Sequence, residues 1–87
     1  MKLYMVIEHF RSGCKDQVYA RFCQKGRMLP EGLEYVDSWL AKDGDRCFQL
    51  MATKSPQLFE TWTKNWADLT EFEIIELGDK PVSEKAS

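Results

Sequence analysis

The stretch Lys2 to Phe10 is rich in β-branched and aromatic residues and reads as a first strand. Its two faces are Leu3-Met5-Ile7-His9 and Tyr4-Val6-Glu8-Phe10. Arg11-Ser12-Gly13 breaks the strand. The apolar positions then change period. Val18, Tyr19, Phe22 and Cys23 fall on one helical stripe, which predicts a helix near 14–26 with Ser12 as its cap, Asp16 in its first turn and Gly26 as its stop. After the turn Leu29-Pro30-Glu31-Gly32, strands are predicted near 33–42 and 45–53, joined across Asp43-Gly44, a hairpin dipeptide. Ser55-Pro56 opens a second helix near 56–68, with Phe59, Trp62, Trp66 and Leu69 on one stripe. Phe72 to Leu77 completes a fourth strand near 71–77.

The order βαββαβ is the ferredoxin-like pattern, an α+β fold with a four-stranded antiparallel sheet and two helices on one face. The expected organisation is one domain over 1–77 and a flexible C-terminal tail over 78–87, where Val82 is the one large apolar residue. Two helices cover one sheet face. The other holds large apolar groups in either register: Tyr4, Val6 and Phe10 against Leu3, Met5 and Ile7; Tyr35 and Trp39 against Val36 and Leu40; Cys47 and Met51 against Phe48 and Leu50. An apolar sheet face needs a cover, and the simplest is the same face of a second copy. A homodimer is therefore expected.

Composition narrows the function. At 87 residues the chain is one small domain with a thin core, and 44% hydrophobic content argues against disorder. A net charge of −2 with no clustered basic face argues against nucleic acid. The third strand, Arg46-Cys47-Phe48-Gln49-Leu50-Met51-Ala52, also lacks the glycines of an RNA-recognition strand. No segment has the roughly 20 apolar residues of a membrane span, and the short apolar N-terminus meets charge too soon for a signal peptide. A cytoplasmic protein with free thiols at Cys14, Cys23 and Cys47 is expected.

No complete catalytic, metal or nucleotide motif stands in the chain, so whether it is an enzyme is open. No cofactor and no metal are expected, because no ligand set has zinc-site spacing. His9 is the only histidine. It can serve as a proton acceptor, although a strand-end histidine is more often simply hydrogen-bonded or half-exposed, and Glu8 points to the opposite face. Tyr35, Asp37 and Trp39 are read as one face of the second strand, and Cys47, Gln49 and Met51 as one face of the third. If the two faces coincide, Tyr35, Trp39, Gln49 and Met51 line a pocket for a small, partly apolar molecule, with Asp37 or His9 as its titratable group. The plainer reading is a dimer interface whose polar groups bond each other. Trp62 and Trp66 offer a stacking surface, but core packing is the ordinary role of at least one. Arg27 and Arg46 can hold a carboxylate-bearing ligand. Against that, Arg27 complements a helix end and Arg46 adjoins an exposed turn.

The strings Met5-Val6-Ile7-Glu8-His9-Phe10, Gly26-Arg27-Met28-Leu29-Pro30-Glu31-Gly32-Leu33, Tyr35-Val36-Asp37-Ser38-Trp39, Arg46-Cys47-Phe48-Gln49-Leu50-Met51 and Trp62 to Phe72 resemble a bacterial group, domain-of-unknown-function family thirty-three-oh-three. The resemblance runs to about Leu77. That family has no established activity to carry over. Its wider resemblance is to the dimeric α+β barrel superfamily, in which two ferredoxin-like units pack sheet to sheet. That superfamily includes cofactor-independent monooxygenases, isomerases, haem-degrading enzymes and ligand-sensing domains. The haem-degrading members use a helix-borne histidine, whereas the one histidine here is on a strand. The resemblance thus implies a small homodimer that binds a small, partly apolar molecule. The alternative it implies is a cofactor-independent monooxygenase or isomerase acting on an aromatic or conjugated carbonyl compound.

Overall fold

In a computed structural model, which describes residues 1–79, the elements follow in the expected order: β1 (Lys2–Phe10), α1 (Lys15–Lys25), β2 (Leu33–Leu40), β3 (Arg46–Thr53), α2 (Leu58–Thr63) and β4 (Thr70–Glu76). They build a four-stranded sheet in the order β2-β3-β1-β4, with every neighbouring pair antiparallel. This is the ferredoxin-like α+β fold. The flexible tail expected over 78–87 lies outside the described residues except for Gly78 and Asp79.

Side chains of one parity in each strand face the helices. Tyr4 and Val6 of β1, Leu33 of β2 and Met51 of β3 pack with Phe59, Trp62, Trp66 and Leu69 into a buried core. The whole predicted stripe of the second helical segment is therefore interior, including both tryptophans. Each fully buried side chain of this kind contributes roughly 1.5–3 kcal/mol. Aromatic rings pack across this core, Tyr4 edge-to-face on Phe59 at 5.1 Å between ring centroids and Trp62 tilted against Phe72 at 5.3 Å.

The α-helical part of that segment is shorter than the expected 56–68. Its entry is wound tighter than an α-helix: the N–H groups of Leu58, Phe59 and Glu60 donate three residues back, to Ser55, Pro56 and Gln57. The same tightening recurs at its exit, where Asn65 and Trp66 donate to Trp62 and Thr63. Ser55 makes no side-chain cap, and α1 is likewise uncapped, starting at Cys14 rather than at Ser12. Gly26 does end α1 as expected. Its φ of 67° is open to glycine, and its N–H closes on the Phe22 carbonyl at 2.7 Å.

The stripe of α1 does not pack as a unit. Val18 alone is buried; Tyr19 and Phe22 stay about two-fifths exposed, and Cys23 is exposed. The helix is instead tied to the chain beyond α2. Arg21 donates twice to the Asp68 carboxylate and once to the Asn65 carbonyl, each at 2.8 Å, with its guanidinium 5.7 Å from the Trp66 ring centre. A helix held from its side, with only one side chain sunk into the core, leaves space between itself and the sheet.

Candidate functional site

That space is a cavity of about 210 Å³. Its floor is the far end of the core-facing sheet surface. Glu8 and Phe10 come from β1, Cys47 and Gln49 from β3, and Ser38 and Leu40 from β2. Val18, Tyr19 and Phe22 of α1 close one side, and Trp62 and Trp66 another. Arg27, in the loop after α1, completes the lining. The mixture is an apolar hollow with a few convergent polar groups, smaller than the roughly 300–1,000 Å³ of ordinary ligand sites.

Glu8 and Gln49 are the unusual members. Glu8 is 7% exposed and Gln49 6%, and both line the cavity without a side-chain bond to another described residue; among the described residues, the side-chain polar atom fully buried without a partner is the Tyr4 hydroxyl. The polar atoms of Glu8 and Gln49 thus keep access to the cavity, while burial of the rest of each residue removes much of its hydration. Loss of hydration pushes the Glu8 carboxyl up to about 7, against a weaker opposing pull from the Arg27 guanidinium. Neighbouring Cys47 is pushed up to about 11, first by burial and then by the Glu8 charge.

Arg27 is held with unusual care. Its backbone carbonyl accepts the indole N–H of both Trp62, at 2.8 Å, and Trp66, at 3.1 Å, so that one oxygen serves two buried donors. The next residue, Met28, has a φ of 58°, a left-handed conformation costly for a side chain of its kind. Asn65 donates to the Met28 carbonyl at 3.4 Å. The guanidinium lies 3.6 Å from the ring centre of Tyr35 and 5.0 Å from that of Phe22. The Tyr35 hydroxyl is itself fixed 2.6 Å from Ser38 Oγ. No carboxylate pairs with Arg27 among the described residues.

The residues singled out in the sequence do not all meet. A β-bulge between Tyr35 and Asp37 adds one residue to β2, with Tyr35 opposite Met51 and Asp37 opposite Leu50. One extra residue reverses the parity of everything after it. Tyr35, Asp37 and Trp39 therefore do not share a face. Tyr35 stays on the core-facing side, while Asp37 and Trp39 turn to the outer face, where Trp39 is 51% exposed. Ser38 and Leu40 take their places in the floor of the cavity. Asp37 accepts the Ser38 N–H at 2.8 Å. Gln49 lines the cavity; Met51 is fully buried core beside it, and Tyr35 reaches it through Arg27 and Ser38. His9 lies on the outer face, half-exposed, 3.8 Å from Glu73, and borders a separate open hollow with Arg11, Lys15 and Arg46.

Glu8 is what the sequence reading passed over, and a signal for it existed. It is the one carboxyl in the face Tyr4-Val6-Glu8-Phe10, so packing that face inward buries it. Among the described residues, no group of three or more His, Cys, Asp or Glu side chains is arranged to hold a metal ion. No helix among the described residues is long and apolar enough to cross a membrane. In comparison with known proteins, the family model described as "Domain of unknown function (DUF3303)" matches residues 2–78. No curated protein and no solved structure matches the chain.

Proposed function

The chain belongs to the DUF3303 family, and we propose that it binds a small, partly apolar molecule, about one ring in size, in the cavity between α1 and the sheet. The observation that carries this reading is the pair Glu8 and Gln49, polar residues more than nine-tenths buried that line the cavity without a side-chain bond to another described residue. A ligand with polar atoms at that end supplies the missing hydrogen bonds, and its apolar body lies against Phe10, Leu40, Trp62 and Trp66. Titrating the protein with phenol and with benzamide, followed by tryptophan fluorescence, tests it. Saturable quenching is expected, and it should be lost when Leu40→Trp fills the chamber. The same response in Leu40→Trp, or none in the unaltered protein, would contradict the reading.

We also infer that two copies meet through the outer sheet face, in the manner of a dimeric α+β barrel. That face carries an apolar band across all four strands: Trp39, Phe48 and Ile7, then Leu50, Met5 and Ile75, with Leu3 beside them. Leu3, Trp39 and Ile75 are each more than two-fifths exposed. His9, Arg46, Glu71 and Glu34 stand toward its ends, and Asp37 and Glu73 close its two rows on the edge strands β2 and β4. Sheets stack face to face about 10 Å apart, so a second copy covers the band without new structure. The free cysteines fit a reducing, cytoplasmic setting.

One observation favours a second reading, a cofactor-independent monooxygenase or isomerase acting on an aromatic or conjugated carbonyl compound. A carboxyl that titrates near 7 is suited to accept a proton from such a substrate. In that case the acceptor is Glu8, not His9 or Asp37, both of which lie on the other sheet face.

A further inference from the structure

Arg27 narrows the ligand class beyond this reading, on which the following rests. We propose that the ligand is a small planar monocarboxylate, its carboxylate on the Arg27 guanidinium and beside Glu8.

Three observations lead there. The guanidinium lines the cavity and has no carboxylate partner among the described residues. A cation beside an apolar chamber without a counter-ion is matched by an anion that brings one. Its position is also prepared in advance. Two indole donors fix its backbone carbonyl, a left-handed residue follows it, and Tyr35 and Phe22 flank its head. Such fixing lowers the ordering cost of a planar, two-pronged contact. Finally, the acid nearest to it does not neutralise it. Burial keeps Glu8 largely protonated up to about pH 7, so the cavity as a whole is positive below that pH.

The groups facing Glu8 set its response. Tyr19 comes from α1, Cys47 from β3, Arg27 from the loop after α1, and Ser38 from β2; α2 and the turn after it contribute Trp62 and Trp66. Arg27 is the one cation among them. An entering carboxylate occupies that cation and places a like charge near Glu8, and both effects favour the protonated form. Glu8 therefore takes up a proton from solvent as the anion enters. Binding should then weaken about tenfold for each pH unit above about 7, since one proton is linked to one ligand.

Calorimetric titration with benzoate and with its neutral counterpart benzamide tests this. Benzoate is expected to bind about tenfold or more tightly, as a charge-assisted contact does, with net proton uptake seen as a buffer-dependent heat at pH 8. In Arg27→Met, whose backbone carbonyl still receives both indoles, the preference for benzoate should vanish while benzamide binding persists; Arg27→Lys should restore part of it. In Glu8→Gln the preference should remain and the pH dependence should disappear. Benzamide binding as well as benzoate, or benzoate binding unchanged from pH 6 to 9, overturns the inference and leaves the cavity reading standing. Failure of both probes to bind overturns the two together.

Discussion

At the residue scale, Glu8 sets a pH dependence whose sign follows from its burial. Its carboxyl is raised from 4.5 to about 7 in the folded chain, so folding favours the neutral form. The contribution is complete below the unfolded value of 4.5 and is lost as pH rises through 7. At about 1.4 kcal/mol per unit, the loss is on the order of 3 kcal/mol for a group this buried. Glu8→Gln should therefore unfold at nearly the same denaturant concentration at pH 5 and pH 8, while the unaltered protein becomes weaker over that range. A parallel decline in both proteins would assign the dependence to other groups. Cys47 offers a second check. With its thiol pushed up to about 11 and half-buried, it should react with a thiol reagent at pH 8 far more slowly than exposed Cys23. Mass mapping of the first-labelled cysteine decides this, and early labelling of Cys47 would mean an open chamber.

At the scale of elements, the fold was legible because strand-forming runs alternate with helical stripes and are separated by clear turn residues. The β-branched and aromatic run of β1 and the i, i+3, i+7, i+10 stripe of Phe59, Trp62, Trp66 and Leu69 were enough to order the elements and to bury the right face of the second helical segment. The site was much less legible. It depends on the parity of β2, and one bulged residue between Tyr35 and Asp37 exchanges Asp37 and Trp39 for Ser38 and Leu40. Nothing local announces that bulge, since Val36 is an ordinary strand residue. The position of α1 was equally hidden. Its stripe predicted full packing, but Arg21 on its flank holds it to Asp68 and Asn65, and the Arg21 guanidinium keeps the Asp68 carboxyl below its usual range. That tether makes a prediction of its own. Asp68→Asn should speed amide hydrogen exchange in α1 relative to β1 and β3, with little change in the core strands. Uniform acceleration across the molecule would show that α1 is held by packing instead.

At the scale of the whole molecule, the two sheet faces have different work. The helix-facing side holds the core and the cavity, and the outer side is the surface on which two copies are inferred to pair. Leu50 lies on that outer face, between Met5 and Asp37 on the neighbouring strands. In a face-to-face dimer Leu50→Asp places a charge in the contact, so sedimentation should drop from twice 10.2 kDa to one chain. An unaltered protein that already sediments as one chain at low micromolar concentration would contradict the pairing. The central claim, a ligand between α1 and the sheet, has its most direct test in the three indole N–H signals of a nitrogen-15 spectrum. Trp62 and Trp66 donate to the Arg27 carbonyl at the cavity, whereas Trp39 stands on the outer face. Adding benzoate should shift the Trp62 and Trp66 signals together and saturably, leaving Trp39 in place. A shift confined to Trp39, or no shift in any of the three, would contradict the account.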